Sequence, residues 1–460
     1  MSGSAAAHCL CNKSRRTMPI VGNLGISHVR CYVNDTAFGA CRSVSLRTRK
    51  PQPTAYRIAS TASLKHAVVL PAEPAIEEEQ IPDYNLHNFY PANPGEFLNK
   101  RYKTIVKLGW GSSSTVWLAR DIKHQRWRSK RYVALKINNC DFDDKNAAQH
   151  ELQISKTVAT TNPLHRGFPY VRTLFNSFEI AGPDGSHICL VYEPMREPLW
   201  LFQRRCRDGK LSLALVKVYL TFLLRGLDYL HSECHIVHTD LKSENILLEF
   251  EDGSVINEFV RLQGSNPMAR KIKDGRVTYQ SHNQFGSLKS FGILPKIADF
   301  GHSNIIIDSR RNIHPIQPDH YRAPEVVLGI GWSYSADIWN LGVLMIALLG
   351  HPPKEFVDRE REARIWKWKP PVENSEGRIC TSVSDYFGGP FFDSNGEFLH
   401  KELIPGDLNL RDSTPSLQGG EKELFLEFVG KMLQWMPENR KTANELLGDP
   451  WLLRDAPSKR

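Results

Sequence analysis

His238-Thr239-Asp240-Leu241-Lys242-Ser243-Glu244-Asn245-Ile246-Leu247-Leu248 carries the densest chemistry in the chain. An Asp stands two residues before a Lys and five before an Asn, and an apolar, strand-like run follows. Transfer of a phosphoryl group to a hydroxyl needs these residue types together. A carboxylate orients the nucleophile, a cation faces the transferring phosphate, and an amide holds a metal ion. Asp240, Lys242 and Asn245 are therefore the first candidate residues.

Outward from this stretch, further motifs fall in order. Downstream, Asp299-Phe300-Gly301 follows the apolar run 293–298. Alone it reads as a turn; after the first motif, Asp299 is a second metal-ligand candidate. Upstream, Gly109-Trp110-Gly111-Ser112-Ser113-Ser114-Thr115-Val116 places glycines between two strand-like runs. Such a turn lets backbone N–H groups approach phosphate without a Cβ in the way, although a plain hairpin reads the same. Ser114 stands where a third glycine is usual, and no Gly-Lys-Ser/Thr follows, which excludes a Walker A loop. Val133-Ala134-Leu135-Lys136 is an apolar strand ending on a lysine, and Glu151 follows on a helical stretch. An edge-strand lysine is the plain reading; a Lys136–Glu151 pair that presents the lysine to phosphates is the sharper one. Ala323-Pro324-Glu325, Asp337-Ile338-Trp339 and Arg440 complete the series.

The periodicity predicts strands over 102–108, 115–119, 132–137 and 188–192, then helices over 146–158, 211–231, 335–350 and 421–435. A small β-rich lobe followed by a larger α-rich lobe is an α+β arrangement. The 460 residues are 41% hydrophobic, 24% charged and 10% aromatic, which excludes a fibrous or wholly disordered protein. Residues 1–72 hold ten basic side chains and one acidic one, so the formal net charge of +9 belongs to this segment. The remainder is neutral, which argues against a nucleic-acid-binding body. Residues 1–80 read as a disordered basic extension, with a mitochondrial transit segment as the alternative. The nine cysteines are scattered, without a C-x-x-C pair, and form neither a disulfide framework nor a zinc set. The longest apolar run, 341–349, is half a membrane span and reads as a core helix.

Together the motifs resemble the eukaryotic protein kinases over about 100–455. The resemblance implies a bilobal kinase fold, with an N-lobe over 81–195 and a C-lobe over 196–455. It implies ATP and Mg²⁺ as cofactors. Leu108, Gly109, Gly111, Ser114, Val116 and Ala134 would line the ATP site, and Lys136, paired to Glu151, would contact the α- and β-phosphates. Glu193 to Met195, after Tyr192, would be the hinge bonded to adenine. Asp240 would act on the substrate hydroxyl, Lys242 would neutralise the γ-phosphate, and Asn245 and Asp299 would hold Mg²⁺. Glu325 and Arg440 would form a buried ion pair, and Asp337 would brace the catalytic loop through backbone N–H groups.

Lys107-Leu108-Gly109-Trp110-Gly111, 114–119, 185–193 and His238-Thr239-Asp240-Leu241-Lys242 narrow the resemblance to the SR-protein-specific kinases, especially fungal ones. These phosphorylate serines in Arg-Ser repeats of splicing factors. The resemblance implies a monomer acting on Arg/Ser-containing proteins, in cytoplasm or nucleus, without membrane contact and without direct nucleic-acid contact by the kinase domain. An insert characteristic of that family falls at about 249–290. Thr239 replaces the usual Arg before the catalytic Asp, and between Gly301 and Tyr321 there is no Thr, only Ser303 and Ser309. Activity without loop phosphorylation is expected. Pro318 and Asp319 stand where these kinases commonly carry Thr and Arg, and Asp319 would attract a basic peptide. Met345 and Ile346 abut where related fungal sequences carry tens of further residues. The alternative function is a scaffold that keeps the kinase fold without transfer activity.

Overall fold

The computed structural model describes residues 67–350 apart from 83, 124–130, 274, 291, 307–311 and 330, together with 372–373, 379–380 and 410–453 except 412, 413 and 415. The expected transit segment, Ser309 and the side chain of Asp319 lie outside the described residues.

The N-lobe is built on one antiparallel sheet. β1 (Tyr102–Gly111) and β2 (Ser114–Asp121) form a hairpin closed by the Gly111–Ser114 pair. β3 (Tyr132–Asn138) pairs with β2, and β5 (Ser186–Tyr192) lies between β3 and β4 (Leu174–Ala181). A central strand covered on both faces is apolar throughout rather than alternating. β3 fits this, and Lys136 is its one residue that is not buried. Helix α1 (Phe142–Thr160) packs against the sheet through Ala148, Leu152 and Ser155. Glu151 falls on this stripe at helical spacing, and is carried inward with it.

In the C-lobe, α2 (Leu213–Asp228) starts at Ser212, whose hydroxyl accepts from the Leu215 N–H. Val216, Tyr219, Leu220, Leu223 and Leu227 form its buried stripe, as the periodicity predicts. α4 (Ser335–Leu348) is buried on every side, which explains its unbroken apolar sequence. It runs without interruption through the Met345–Ile346 junction, and both residues are buried. A Cβ on Gly342 would come within 2.8 Å of the Leu433 side chain, so only glycine lets the chain pack this closely here.

Two short strands position the catalytic residues. β6 (Ile246–Leu248) pairs antiparallel with β9 (Pro295–Ile297), Ile246 opposite Ile297. Asn245 precedes β6 and Asp299 follows β9, so antiparallel pairing delivers both to the same end of the ladder. The Ala298 N–H donates to the Asn245 carbonyl at 2.9 Å.

The insert between these strands folds as helix α3 (Gly253–Leu262) and a hairpin of β7 (Arg270–Lys273) and β8 (Arg276–Tyr279). Although it leaves from a C-lobe strand, it packs on the N-lobe. Val255, Ile256, Phe259, Met268 and Tyr279 share one apolar cluster with Tyr102, Val106 and Trp117. Val69–Leu70 adds a parallel strand to β7. Glu78 pairs with the buried Lys107 of β1, and Glu79 pairs with Lys271 of β7 at 2.6 Å. Residues 67–80 are thus ordered, which corrects the reading of all of 1–80 as a disordered extension. Their acidic run looks like a solvated face, but it meets buried lysines far away in sequence.

Candidate active site

Lys136 stands at the junction of the lobes. Its Nζ donates to Glu151 Oε1 and Oε2 at 2.8 and 2.9 Å, and to Asp299 Oδ1 at 3.0 Å. Burial opposes the Lys136 charge, but Asp299 and Glu151 outweigh it, and the ammonium pKa lies above the ordinary lysine value. Lys136 holds the Asp299 carboxyl well below the usual carboxylate range. Burial keeps Glu151 above its ordinary value, although Lys136 pulls the other way. One cation thus faces two carboxylates, and the set lacks a positive charge.

The loop carrying Asp240 is held from beneath. Asp337 Oδ2 accepts from the His238 N–H at 2.7 Å, and Oδ1 accepts from the Thr239 N–H at 2.9 Å. Thr239 has φ of 68° and Asp299 of 65°, a left-handed backbone that a β-branched residue such as threonine rarely adopts. Such strain persists where surrounding bonds over-determine it. Here the Thr239 hydroxyl also donates to the His302 carbonyl at 2.7 Å. The residue that replaces the usual Arg therefore ties the Asp240 loop to the segment after Asp299. Ser303 is fully buried, and its hydroxyl donates to the His238 carbonyl at 3.2 Å.

Asp240 Oδ2 accepts from Asn245 Nδ2 at 2.8 Å and lies 2.8 Å from Lys242 Nζ. Asp240 Oδ1 has no partner among the described residues, and neither does the side-chain oxygen of Asn245.

The glycine turn closes over this end of the sheet. A Cβ on Gly109 would meet nothing within 4 Å, so protein packing does not require glycine there; open space beside the backbone does suit a phosphate. Ser114 is buried, Ala134 is buried opposite Tyr192, and Leu108 and Val116 are half-buried. The insert grips this hairpin: the His282 N–H donates to the Lys107 carbonyl at 2.8 Å, and Asn283 Nδ2 to the Leu108 carbonyl at 3.3 Å.

At the connector after β5, Met195 is buried, and its N–H has no partner among the described residues. The Glu193 side chain turns outward to Lys296 at 2.6 Å. The structure joins Lys136 with Glu151 and Asp299, and Asp240 with Lys242 and Asn245, and the Ala298–Asn245 backbone bond sets the two groups side by side. Sequence reasoning missed Lys296, and it missed Arg172, which reaches the Glu193 carbonyl from the start of β4; neither sits in a motif. Glu325 and Arg440 form the expected pair, bonded twice at 2.6 Å and fully buried. Among the described residues no helix is long and apolar enough to cross a membrane.

Residues 102–452 match the protein kinase domain family. A serine/threonine protein kinase of Aspergillus fumigatus is 34% identical over 418 residues, covering 84% of this chain and 93% of that one. The serine/threonine-protein kinase SRPK of Physarum polycephalum is 29% identical over 428 residues, covering 82% of this chain and 91% of that one. A crystal structure of a kinase domain superposes with a TM-score of 0.55 at 22% identity, covering 79% of this chain and 99% of that one.

Proposed function

We propose that this chain, which belongs to the protein kinase family and is a protein serine/threonine kinase, uses ATP and Mg²⁺ to phosphorylate serines of basic, Arg/Ser-containing proteins. The observation that carries the reading is the convergence of Lys136, Asp299 and the loop bearing Asp240 and Asn245, three separate segments, on one cleft that is short of positive charge.

The residues fit a nucleotide and a metal ion. Gly109 leaves room beside the backbone for phosphate, and the Met195 N–H is free for a base. Among the described residues no group of three His, Cys, Asp or Glu could hold a metal alone. Asn245 and Asp299 would hold Mg²⁺ together with phosphate oxygens, as is usual for this ion. Bound there, it neutralises charge on the phosphates. Lys136 positions the α- and β-phosphates, held in place by Glu151. Asp240 accepts a hydrogen bond from the serine hydroxyl through its free Oδ1 and fixes its direction of attack. Lys242, already beside Asp240, meets the charge that builds on the transferred group. Catalysis of this kind is mostly positioning and charge stabilisation.

Two features support activity without loop phosphorylation. Thr239 offers no cation to a phosphate, and Ser303 is out of solvent reach. The preference for Arg/Ser substrates rests on the resemblance to SR-protein kinases and on the SRPK relative. The same resemblance supports a cytoplasmic or nuclear location, and a mitochondrial one if residues 1–60 act as a transit segment.

The test is γ-phosphate transfer by the full chain with ATP and Mg²⁺, offered an Arg-Ser repeat peptide beside an acidic-flanked serine peptide. Transfer to the Arg-Ser peptide, absent in Asp240→Ala, is the expected result. Equal transfer to both peptides would remove the substrate preference. No transfer to either by folded, ATP-binding protein would favour a scaffold.

A further inference from the structure

Arg172 occupies the base end of the cleft. Its backbone N–H donates to the Ile297 carbonyl at 2.8 Å, which fixes it beside β9. Its guanidinium stacks over Tyr192, 4.6 Å from the ring centroid. Nη2 and Nε both donate to the Glu193 carbonyl, at 2.8 and 3.3 Å. Lys136 pairs with Leu190, and Glu193 lies three residues further on, roughly 10 Å at the rise of a strand. That is about the span from the phosphates of a nucleotide to its base. The Glu193 carboxylate is bonded to Lys296 at 2.6 Å, and no hydrogen bond joins it to the arginine. Burial opposes the guanidinium charge more than Tyr192, Glu193, Asp299 and Glu151 support it.

The chemical consequence is a reversed recognition edge. A bare backbone carbonyl accepts from the 6-amino group of adenine and repels the 6-oxo group of guanine or hypoxanthine. A guanidinium has five N–H donors and no acceptor. Two are used on Glu193, and the others have no partner among the described residues. A carbonyl capped this way presents donors to the base. Those donors match a 6-oxo group, whereas a 6-amino group would leave buried donors facing each other.

We propose that Arg172 sets the purine selectivity of the cleft, weakening its preference for adenine and admitting 6-oxopurine nucleotides. The proposal rests on the nucleotide-site reading above. Where a pocket is built to hydrogen-bond one group, loss of the match costs far more than loss of a methylene.

Titration calorimetry of the full chain with Mg²⁺ and ADP, GDP or IDP tests it. In the wild type, GDP and IDP are expected to bind within about tenfold of ADP. Arg172→Val should tighten ADP and weaken GDP, shifting their ratio by about a hundredfold. Arg172→Lys keeps a cation but loses the fork, and should lie between the two; it also serves if the valine variant does not fold. Wild-type ADP binding preferred by more than about a hundredfold, with the ratio unmoved in both variants, would overturn the proposal and leave the ATP reading intact. Absence of binding by all three nucleotides to folded wild type would overturn both.

Discussion

Two charge clusters hold this molecule together in different ways. Glu325 and Arg440 are both fully buried, and every Arg440 donor is used. Nη1 and Nη2 each bond one Glu325 oxygen, and the remaining donors reach the carbonyls of Gln434, Ser335 and Trp435. The guanidinium also lies over the Trp339 ring. In the cleft, Lys136 faces Glu151 and Asp299 with one charge against two, and the Asp299 side chain is 48% exposed. The first cluster is complete and belongs to the frame. The second carries one positive charge against two negative ones, a balance that suits the binding of a cation. Buried charge by itself separates nothing; whether its partners balance it does.

The largest test of this contrast is Asp240→Ala. Loss of a positioned carboxylate is expected to lower kcat by about 10³-fold, within the usual range for such groups. Thermal unfolding should not move, because Asp240 bonds only to groups of its own loop. A fall in melting temperature alongside activity would move Asp240 into the frame. Arg440→Met should do the reverse. It strands Glu325 in the core, and breaking such a pair costs about 3–5 kcal/mol. Urea unfolding would show the loss, and adding Glu325→Gln should restore part of it, because the orphaned charge is then gone.

The contrast also shows what the sequence could reveal. The cleft residues were legible because chemistry demands fixed residue types at fixed spacings, as in Asp240, Lys242 and Asn245. Lys136 was marked by being the one charge in an apolar strand. The frame residues Glu325, Asp337 and Arg440 were reachable through the family pattern, since nothing local tells that two groups far apart in sequence will meet. Arg172 had neither signal. It is a single arginine whose meaning arises only when β4, β5 and β9 come together. The insert was placed, but not its destination. Its parallel pairing with Val69–Leu70 and the salt bridge between Glu79 and Lys271 join segments far apart in sequence, and no period or motif encodes such contacts.

A smaller effect is expected at Ser303. Ser303→Ala removes one hydrogen bond to the His238 carbonyl, worth about 1 kcal/mol, and leaves kinase activity unchanged. Unfolding and peptide phosphorylation measured on the same preparation separate the two. A large loss of activity in a stable variant would mean that Ser303 acts as a regulatory site and not as a strut.

The smallest effect sharpens the contrast inside the cleft itself. Glu151 and Asp299 share Lys136, yet they are displaced in opposite directions. Burial raises Glu151, so the folded protein binds its proton more readily than the unfolded chain. Ionised Glu151 therefore costs stability above the ordinary glutamate range, and acidification relieves that cost. Lys136 lowers Asp299, so its contribution to stability is present above the ordinary aspartate range and is lost only as pH falls through its depressed folded value. On acidification Glu151 should take a proton first, leaving Lys136 and Asp299 as a matched pair. Carbon-13 titration of the carboxyl groups, with Glu151→Gln for assignment, would resolve two separate steps in that order. The reverse order would assign the lysine charge to Glu151 and leave Asp299 as the uncompensated anion. In the order expected here, Asp299 still carries its charge after Glu151 has taken its proton, as suits a residue that receives a metal ion.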